Sequence, residues 1–224
     1  MPEIEKAAAA ITGSVIPDLK GLDMQYPFLE ATQMPQKYSV SKLNAYEQAD
    51  FASNPIALPF DKEVGTAYHK VLEHIDFGAT TAPQIEQSLS KMQKEGLIAS
   101  DLLAEIDFLK IQKMLTSKLW DKVRKGEKVF REWGFMLYLP NKEVLEGSVS
   151  QDKVLVQGVC DLVVLGKENF IIDYKVSNLD TQSIANKYRK QLQLYALAVE
   201  KIKKVIIKKK IIYIINRNEA VCID

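Results

Sequence analysis

The segment Gly158–Val176, GVCDLVVLGKENFIIDYKV, constrains the fold more than any other part of the chain. Two runs of β-branched and aliphatic residues flank a polar turn, which predicts a β-hairpin. Both runs are apolar enough for a strand covered on each side. Asp161, Asp173 and Lys175 nevertheless interrupt them. Burying a charge is costly unless it is paired, so these three residues need partners or a ligand.

Side chains alternate along a strand, which puts Asp173 and Lys175 on one face, roughly 7 Å apart along the backbone. The place of Asp161 depends on register. Pairing Leu165 with Asn169 sets Asp161 opposite Asp173, whereas pairing Leu165 with Phe170 separates them to opposite faces. Two carboxylates in contact repel by about 4 kcal/mol at an effective dielectric near 20. A divalent cation removes that cost, and Lys175 lowers it. Carboxylate oxygens favour Mg²⁺ or Mn²⁺. Such an ion beside an ammonium suits phosphodiester hydrolysis. The plainer alternative is an Asp173–Lys175 ion pair on a solvent-facing strand, worth little to stability.

The rest of the chain sets this hairpin in an α/β fold. Residues 1–38, with Pro2, Pro17, Pro27 and Pro35, read as an irregular leader or linker. Residues 39–224 form the expected single domain, mainly helical over 39–126, with a sheet core and crossover helix over 127–224. Helices are expected from Ser39 or Ser41 as N-cap, over 61–77, over 81–96 (Thr81 cap, Pro83 in the first turn, Gly96 stop), and as one or two pieces over 99–126. Strands follow at 128–140, 153–165 and 169–176, then a helix at 181–202 and strands at 209–217 and 220–224. Three consecutive strands predict an antiparallel meander. The long helix then delivers a further strand by a crossover. The expected fold is a mixed sheet flanked by helices.

Composition excludes several classes. Two cysteines, Cys160 and Cys222, in apolar runs predict buried reduced thiols; they are too few for a four-cysteine iron–sulfur cluster. No phosphate-binding G-x-x-x-x-G-K-[ST] loop is present, so ATP is not an expected ligand. No segment is apolar over a membrane-spanning length, and no signal peptide is recognisable, which makes a soluble cytoplasmic chain the expectation. A formal net charge of +1 neither favours nor opposes nucleic acid.

GTAYHKVLEHID, GVCDLVV, IIDYKV and YRKQLQLYA, in this order, resemble the motifs of RecB-like nucleases in the PD-(D/E)xK superfamily. KYSVSKL and the spacing from about Tyr38 onward are most similar to the C-terminal nuclease domains of AddA-type helicase–nucleases. The resemblance implies a restriction-endonuclease-like fold and a Mg²⁺- or Mn²⁺-dependent exonuclease acting on single-stranded DNA. It further implies work in double-strand-break repair, with a helicase part N-terminal to this segment and an AddB-like partner. His69, Asp161, Asp173 and the main-chain carbonyl of Tyr174 would be metal ligands, and Lys175 the catalytic lysine. Gln191 and Tyr195 would form the Q-x-x-x-Y motif beside the site, and Glu132 would support the metal or else be an exposed strand residue. The superfamily's proline is absent here.

The residues also bear on these roles directly. Gly65 and His69, four apart, share a helix face, and Gly65 is expected to allow close approach to the sheet. Glu73 is a candidate to orient His69, or else a solvated helix carboxylate. Tyr195 offers a stacking face to a single strand, or else belongs to the core. Two rival functions remain at this point: a catalytically silent DNA-binding or docking module of the same fold, and a standalone nuclease of phage or mobile-element origin.

Overall fold

The computed structural model describes residues 37–42, 59–145 and 152–223. Most of the expected leader and most of the first expected helix lie outside them; Lys37 and Tyr38, expected at the end of the leader, instead belong to a strand that pairs with residues 155 and 156. The strands are β1 (Lys37–Ser39), β2 (Lys128–Pro140), β3 (Lys153–Leu165), β4 (Phe170–Lys175), β5 (Lys209–Ile214) and β6 (Glu219–Ile223). The helices are α1 (Pro59–His74), α2 (Ala82–Lys94), α3 (Ser100–Ala104), α4 (Phe108–Leu115), α5 (Lys118–Arg124), α6 (Asn141–Val144) and α7 (Thr181–Lys203).

The expected meander is present: β2–β3 and β3–β4 are antiparallel. Helix α7 crosses over to deliver β5 parallel to β4, and β6 closes that edge antiparallel to β5. Strand β1, which lacks any periodic signature, adds parallel to β3. The strand order is β1-β3-β4-β5-β6, with β2 pairing β3 off this path. Because β2 occupies one edge of β3 along its length, β1 and β4 share the other. Strand β1 pairs residues 155–157 and β4 pairs residues 162–164. The carboxyl ends of β1 and β4 therefore run toward each other, and among the described residues no strand pairs with the edge of β3 between them.

Two apolar layers cover the sheet. On one face α7 packs through Ile184, Leu192, Tyr195 and Val199 against Val156, Val163, Ile171 and Ile212. On the other, α1, α2, α4 and α5 pack through Leu72, Ile85, Met114 and Trp120 against Leu162, Val164, Ile172 and Ile211. The expected helix over 99–126 is three helices because side chains cap new starts. Asp107 accepts from the N–H of Leu109, and Ser117 from that of Trp120. Thr81 caps α2, and Gly96 ends its C-terminal turn with φ +68°.

Alternation along β2 and β3 slips by one residue at the same level. On β3, Val154, Val156 and Cys160 share the α7-side core with Val163 and Leu165, while Leu162 and Val164 belong to the opposite core. On β2, Phe135 and Leu139 join Phe130 on the α7 side. The slips meet at Glu132 and Asp161, which the register sets opposite each other and which the ladder skips. Glu132 adopts φ +45°, costly for a non-glycine residue.

Cys160 is buried as expected. Cys222 is exposed, contrary to expectation. On β6, Val221 and Ile223 take the inward positions, so the intervening thiol points out.

Candidate active site

Strand register decides whether the hairpin carboxylates meet. Leu162 pairs Ile172 and Val164 pairs Phe170, the register that sets Asp161 opposite Asp173. The ladder ends at Leu162–Ile172. Beyond it, the Asp161 side chain replaces a backbone partner: its Oδ2 accepts from the Tyr174 N–H at 2.7 Å. Asp161 and Asp173 are 7% and 1% exposed, so the hairpin does bury both.

Helix α1 brings His69 to this point. The imidazole Nε2 lies 3.1 Å from the Tyr174 carbonyl oxygen. A carbonyl only accepts, so the proton resides on Nε2. Nδ1 then faces Glu132 Oε1 and Asp161 Oδ2, each at 3.7 Å. Donor atoms of His69, Glu132 and Asp161 all lie within 4.8 Å of one another. The sequence resemblance puts the Tyr174 carbonyl among the ligands; in this geometry it holds the imidazole's orientation. Glu132, expected only in support, stands inside the tightest donor cluster, placed there by its unusual backbone.

Asp173 is held differently. Its Oδ1 accepts from Gln191 Nε2 at 2.9 Å, and its Oδ2 lies 2.5 Å from Lys175 Nζ. Gln191 also donates to the Tyr195 hydroxyl at 3.2 Å. The Lys175 ammonium lies 4.8 Å above the Tyr188 ring. Tyr195 is buried, with its ring edge-on to Phe135, so it belongs to the core and offers no stacking face. Its hydroxyl reaches the site through Gln191.

Glu73 takes the second of its two readings, a carboxylate on the helix surface, 2.8 Å from Lys70 Nζ and 3.4 Å from His74 Nε2. One further expectation is corrected. Gly65 is not required for close packing, since a Cβ there would meet nothing within 4 Å.

Arg131 carries a role that sequence reasoning missed. Its guanidinium donates to the carbonyls of Leu72, Glu73 and Ile75 at 3.4, 3.1 and 2.6 Å. It also lies 3.5 Å from the centroid of the Phe77 ring. Arg131 thus closes the C-terminal end of α1, where the helix dipole favours a cation. It ties the helix bearing His69 to the strand bearing Glu132. The available signal is a lone arginine within the apolar FREWGF run.

Electrostatics follow from burial and crowding. Burial, then the Asp173 charge, pushes the Asp161 carboxyl up to about 7. For His69, burial opposes protonation, but Glu132 and then Asp161 outweigh it and raise the imidazole above its ordinary value. Burial likewise opposes the Lys175 cation, yet Asp173 and Asp161 raise it, so Lys175 remains an ammonium. The donors fit a hard divalent cation: two carboxylates and an imidazole converge, and the buried negative charge lacks a full counter-charge.

His69, Asp161, Asp173, Lys175, Gln191 and Tyr195 line an open cleft of about 480 Å³ with Ser39, Ser41, Gly134, Gln157 and Val159; Glu132 is not among the lining residues. A second cleft, of about 390 Å³, lies around α2 and is lined by Asp76, Ser88 and Lys91 among others, away from these carboxylates.

A mixed sheet that gathers carboxylates, an imidazole and a half-buried ammonium at the carboxyl end of a central hairpin defines the class of hydrolytic nucleases. Residues 35–220 match the model of the PD-(D/E)XK nuclease superfamily, and the chain belongs to that superfamily. It is similar to the A subunit of the ATP-dependent helicase/nuclease of Ruminiclostridium cellulolyticum, 30% identical over 226 residues, covering 89% of this chain and 18% of that protein. The same-named protein of Carboxydothermus hydrogenoformans is 31% identical over 221 residues, covering 90% of this chain and 19% of that protein. The chain thus spans under a fifth of the length of these relatives. Among solved structures, the crystal structure of SSO0001 aligns with 92% of this chain and 72% of that chain at 14% identity and a TM-score of 0.37, too low to bear on the fold. Among the described residues, no helix is long and apolar enough to cross a membrane.

Proposed function

We propose that this chain is a divalent-metal-dependent deoxyribonuclease that hydrolyses phosphodiester bonds of single-stranded DNA from an end. The observation that carries the reading is the convergence of His69, Glu132 and Asp161 beside the Asp173–Lys175 pair. His69, Glu132 and Asp161 would hold Mg²⁺ or Mn²⁺, beside the Asp173–Lys175 pair. When bound, the ion supplies Lewis acidity toward the phosphate and acidifies water.

The chain's own groups do the remaining work. The Tyr174 carbonyl fixes the imidazole tautomer, and the Tyr174 N–H fixes one Asp161 oxygen. Lys175, kept protonated, is suited to stabilise charge developing on the phosphate and is not suited to serve as a base. Gln191 keeps Asp173 oriented toward Lys175, with Tyr195 behind it.

Similarity to the A subunits of helicase/nucleases supports a place within an AddA-type enzyme of recombinational break repair in the cytoplasm. There the rest of the parent protein supplies the ATP-driven motor, and an AddB-like protein completes the complex. Neither ATP nor an iron–sulfur cluster is assigned to this segment.

Labelled single-stranded DNA incubated with Mg²⁺, Mn²⁺ or EDTA tests the reading. Cutting that requires metal and is lost in Asp173→Asn and in the double variant Asp173→Asn/Lys175→Met supports it. The double variant removes both members of the ion pair together, leaving neither charge without its partner, and so controls for misfolding. DNA binding without cutting under every metal would instead favour a silent docking module.

A further inference from the structure

Beyond the carboxylates, the sheet continues as a face that no described helix covers. Gly134, Met136 and Tyr138 alternate with Phe135, Leu137 and Leu139, which pack into the α7-side core. Across the register, Tyr138 pairs Leu155, Met136 pairs Gln157 and Gly134 pairs Val159. On the far edge, β1 extends two of these rows: Lys37 pairs Leu155 and Ser39 pairs Gln157. Partners in register share a face, so the rows read Lys37–Leu155–Tyr138 and Ser39–Gln157–Met136.

This face is open and apolar where a solvated strand would be polar. Tyr138 is 66% exposed, Met136 59% and Val159 44%. A Cβ at Gly134 would meet nothing within 4 Å, so its missing side chain serves no packing among the described residues. The face is continuous with the site, because Ser39, Gly134, Gln157 and Val159 line the same cleft as Asp161, Asp173 and Lys175.

We propose that this face is the track on which the unpaired bases of the substrate strand lie as it enters the site. The proposal rests on the nuclease reading above and adds how the strand is gripped. Tyr138 stacks a base, Met136 and Val159 provide apolar contact, and Gly134 leaves the floor clear beside the carboxylates. Lys37 and Ser39, on the β1 side of the rows, take the sugar–phosphate backbone. The track from Gly134 to Tyr138 is about 13 Å long. A duplex has no free base faces to offer it, so the face selects a single strand.

The test is fluorescence anisotropy of the 224-residue chain in EDTA, where no cutting interferes. The probes are an oligothymidylate of about 16 nucleotides and an abasic deoxyribose-phosphate strand of equal length. Tyr138→Ala should weaken oligothymidylate binding about tenfold, while Tyr138→Phe retains it. The abasic strand should bind more weakly and be indifferent to both variants. Lys37→Ala should weaken both strands alike and flatten the salt dependence. Equal binding of oligothymidylate by Tyr138→Ala and the wild type overturns the proposal, as does equal binding of the two strands, or no binding of either. Sedimentation of the same samples reads the other occupant: self-association abolished by Tyr138→Ala would make the face an interface between copies and also overturns the track. Cutting in Mn²⁺, measured separately, tells whether the nuclease reading stands or falls apart from it.

Discussion

The Tyr174 N–H donates to the Asp161 carboxylate at 2.7 Å, at the level where the β3–β4 ladder stops. One side chain thereby completes the backbone pairing of the hairpin and presents its remaining lone pairs to the site. Asparagine can keep the first role through its amide oxygen but not the second. Asp161→Asn should therefore abolish metal-dependent cutting while leaving the fold intact. In EDTA at pH 8 the variant should be more stable than the wild type, because it removes a buried charge. The expected gain is on the order of a few kcal/mol. Urea unfolding with EDTA, against activity in Mn²⁺, checks both halves; a destabilised variant would refute the charge argument.

The same carboxyl makes metal affinity depend on pH. Its folded value of about 7 exceeds its unfolded one, so the metal-free fold binds the extra proton between about pH 4 and 7. The stability this confers is fully present below the unfolded value and is lost as pH rises through 7. A metal requires the ionised form, so Mn²⁺ affinity should climb about tenfold per unit up to pH 7 and then level off. His69, raised above its ordinary value by Glu132 and Asp161, adds a second proton to displace. Titration calorimetry in two buffers of different ionisation enthalpy should show one to two protons released near pH 6 and few at pH 8.5.

Arg131 links helix to strand through three carbonyls. Arg131→Met keeps much of the stem packing on Phe77 but strips those carbonyls of their donor. The fold should lose about 2 kcal/mol. Because His69 rides on α1, metal affinity should fall as well. Arg131→Lys, a single-point cation, should recover only part of either. Denaturant midpoints and Mn²⁺ titrations of the three proteins measure this.

Glu132 sits at φ +45°, a conformation glycine adopts freely. Glu132→Gly should be as stable as the wild type, within about 1 kcal/mol, while losing most metal-dependent activity. Glu132→Gln should lose activity comparably and keep the backbone strain. A glycine variant markedly less stable than the glutamine one would refute the idea that strain is tolerated here for the sake of the carboxylate.

The hairpin, the meander and α7 are legible in the sequence because their apolar periods are long and their turn and cap residues conventional. The convergence of His69, Asp161 and Asp173 on one cleft is legible through motif order, and the register is one of two stated choices. What stays hidden lacks a local signature. Strand β1 is three residues long and exists because β3 offers it an edge. The paired slip at Glu132 and Asp161 depends on two strands bending together, and nothing in FREWGF announces a left-handed backbone. Tyr195 passes for a stacking surface because an aromatic four residues from a glutamine looks the same whether its ring faces solvent or Phe135.

The opening that β1 and β4 leave along β3 is bordered by residues far apart in the chain, from Ser39 through His69 and Gly134 to Gln191. No partial fold contains them all. On the proposed nuclease reading, a chain still being synthesised should be unable to cut nucleic acid until α7 has emerged and docked on the strands that precede it.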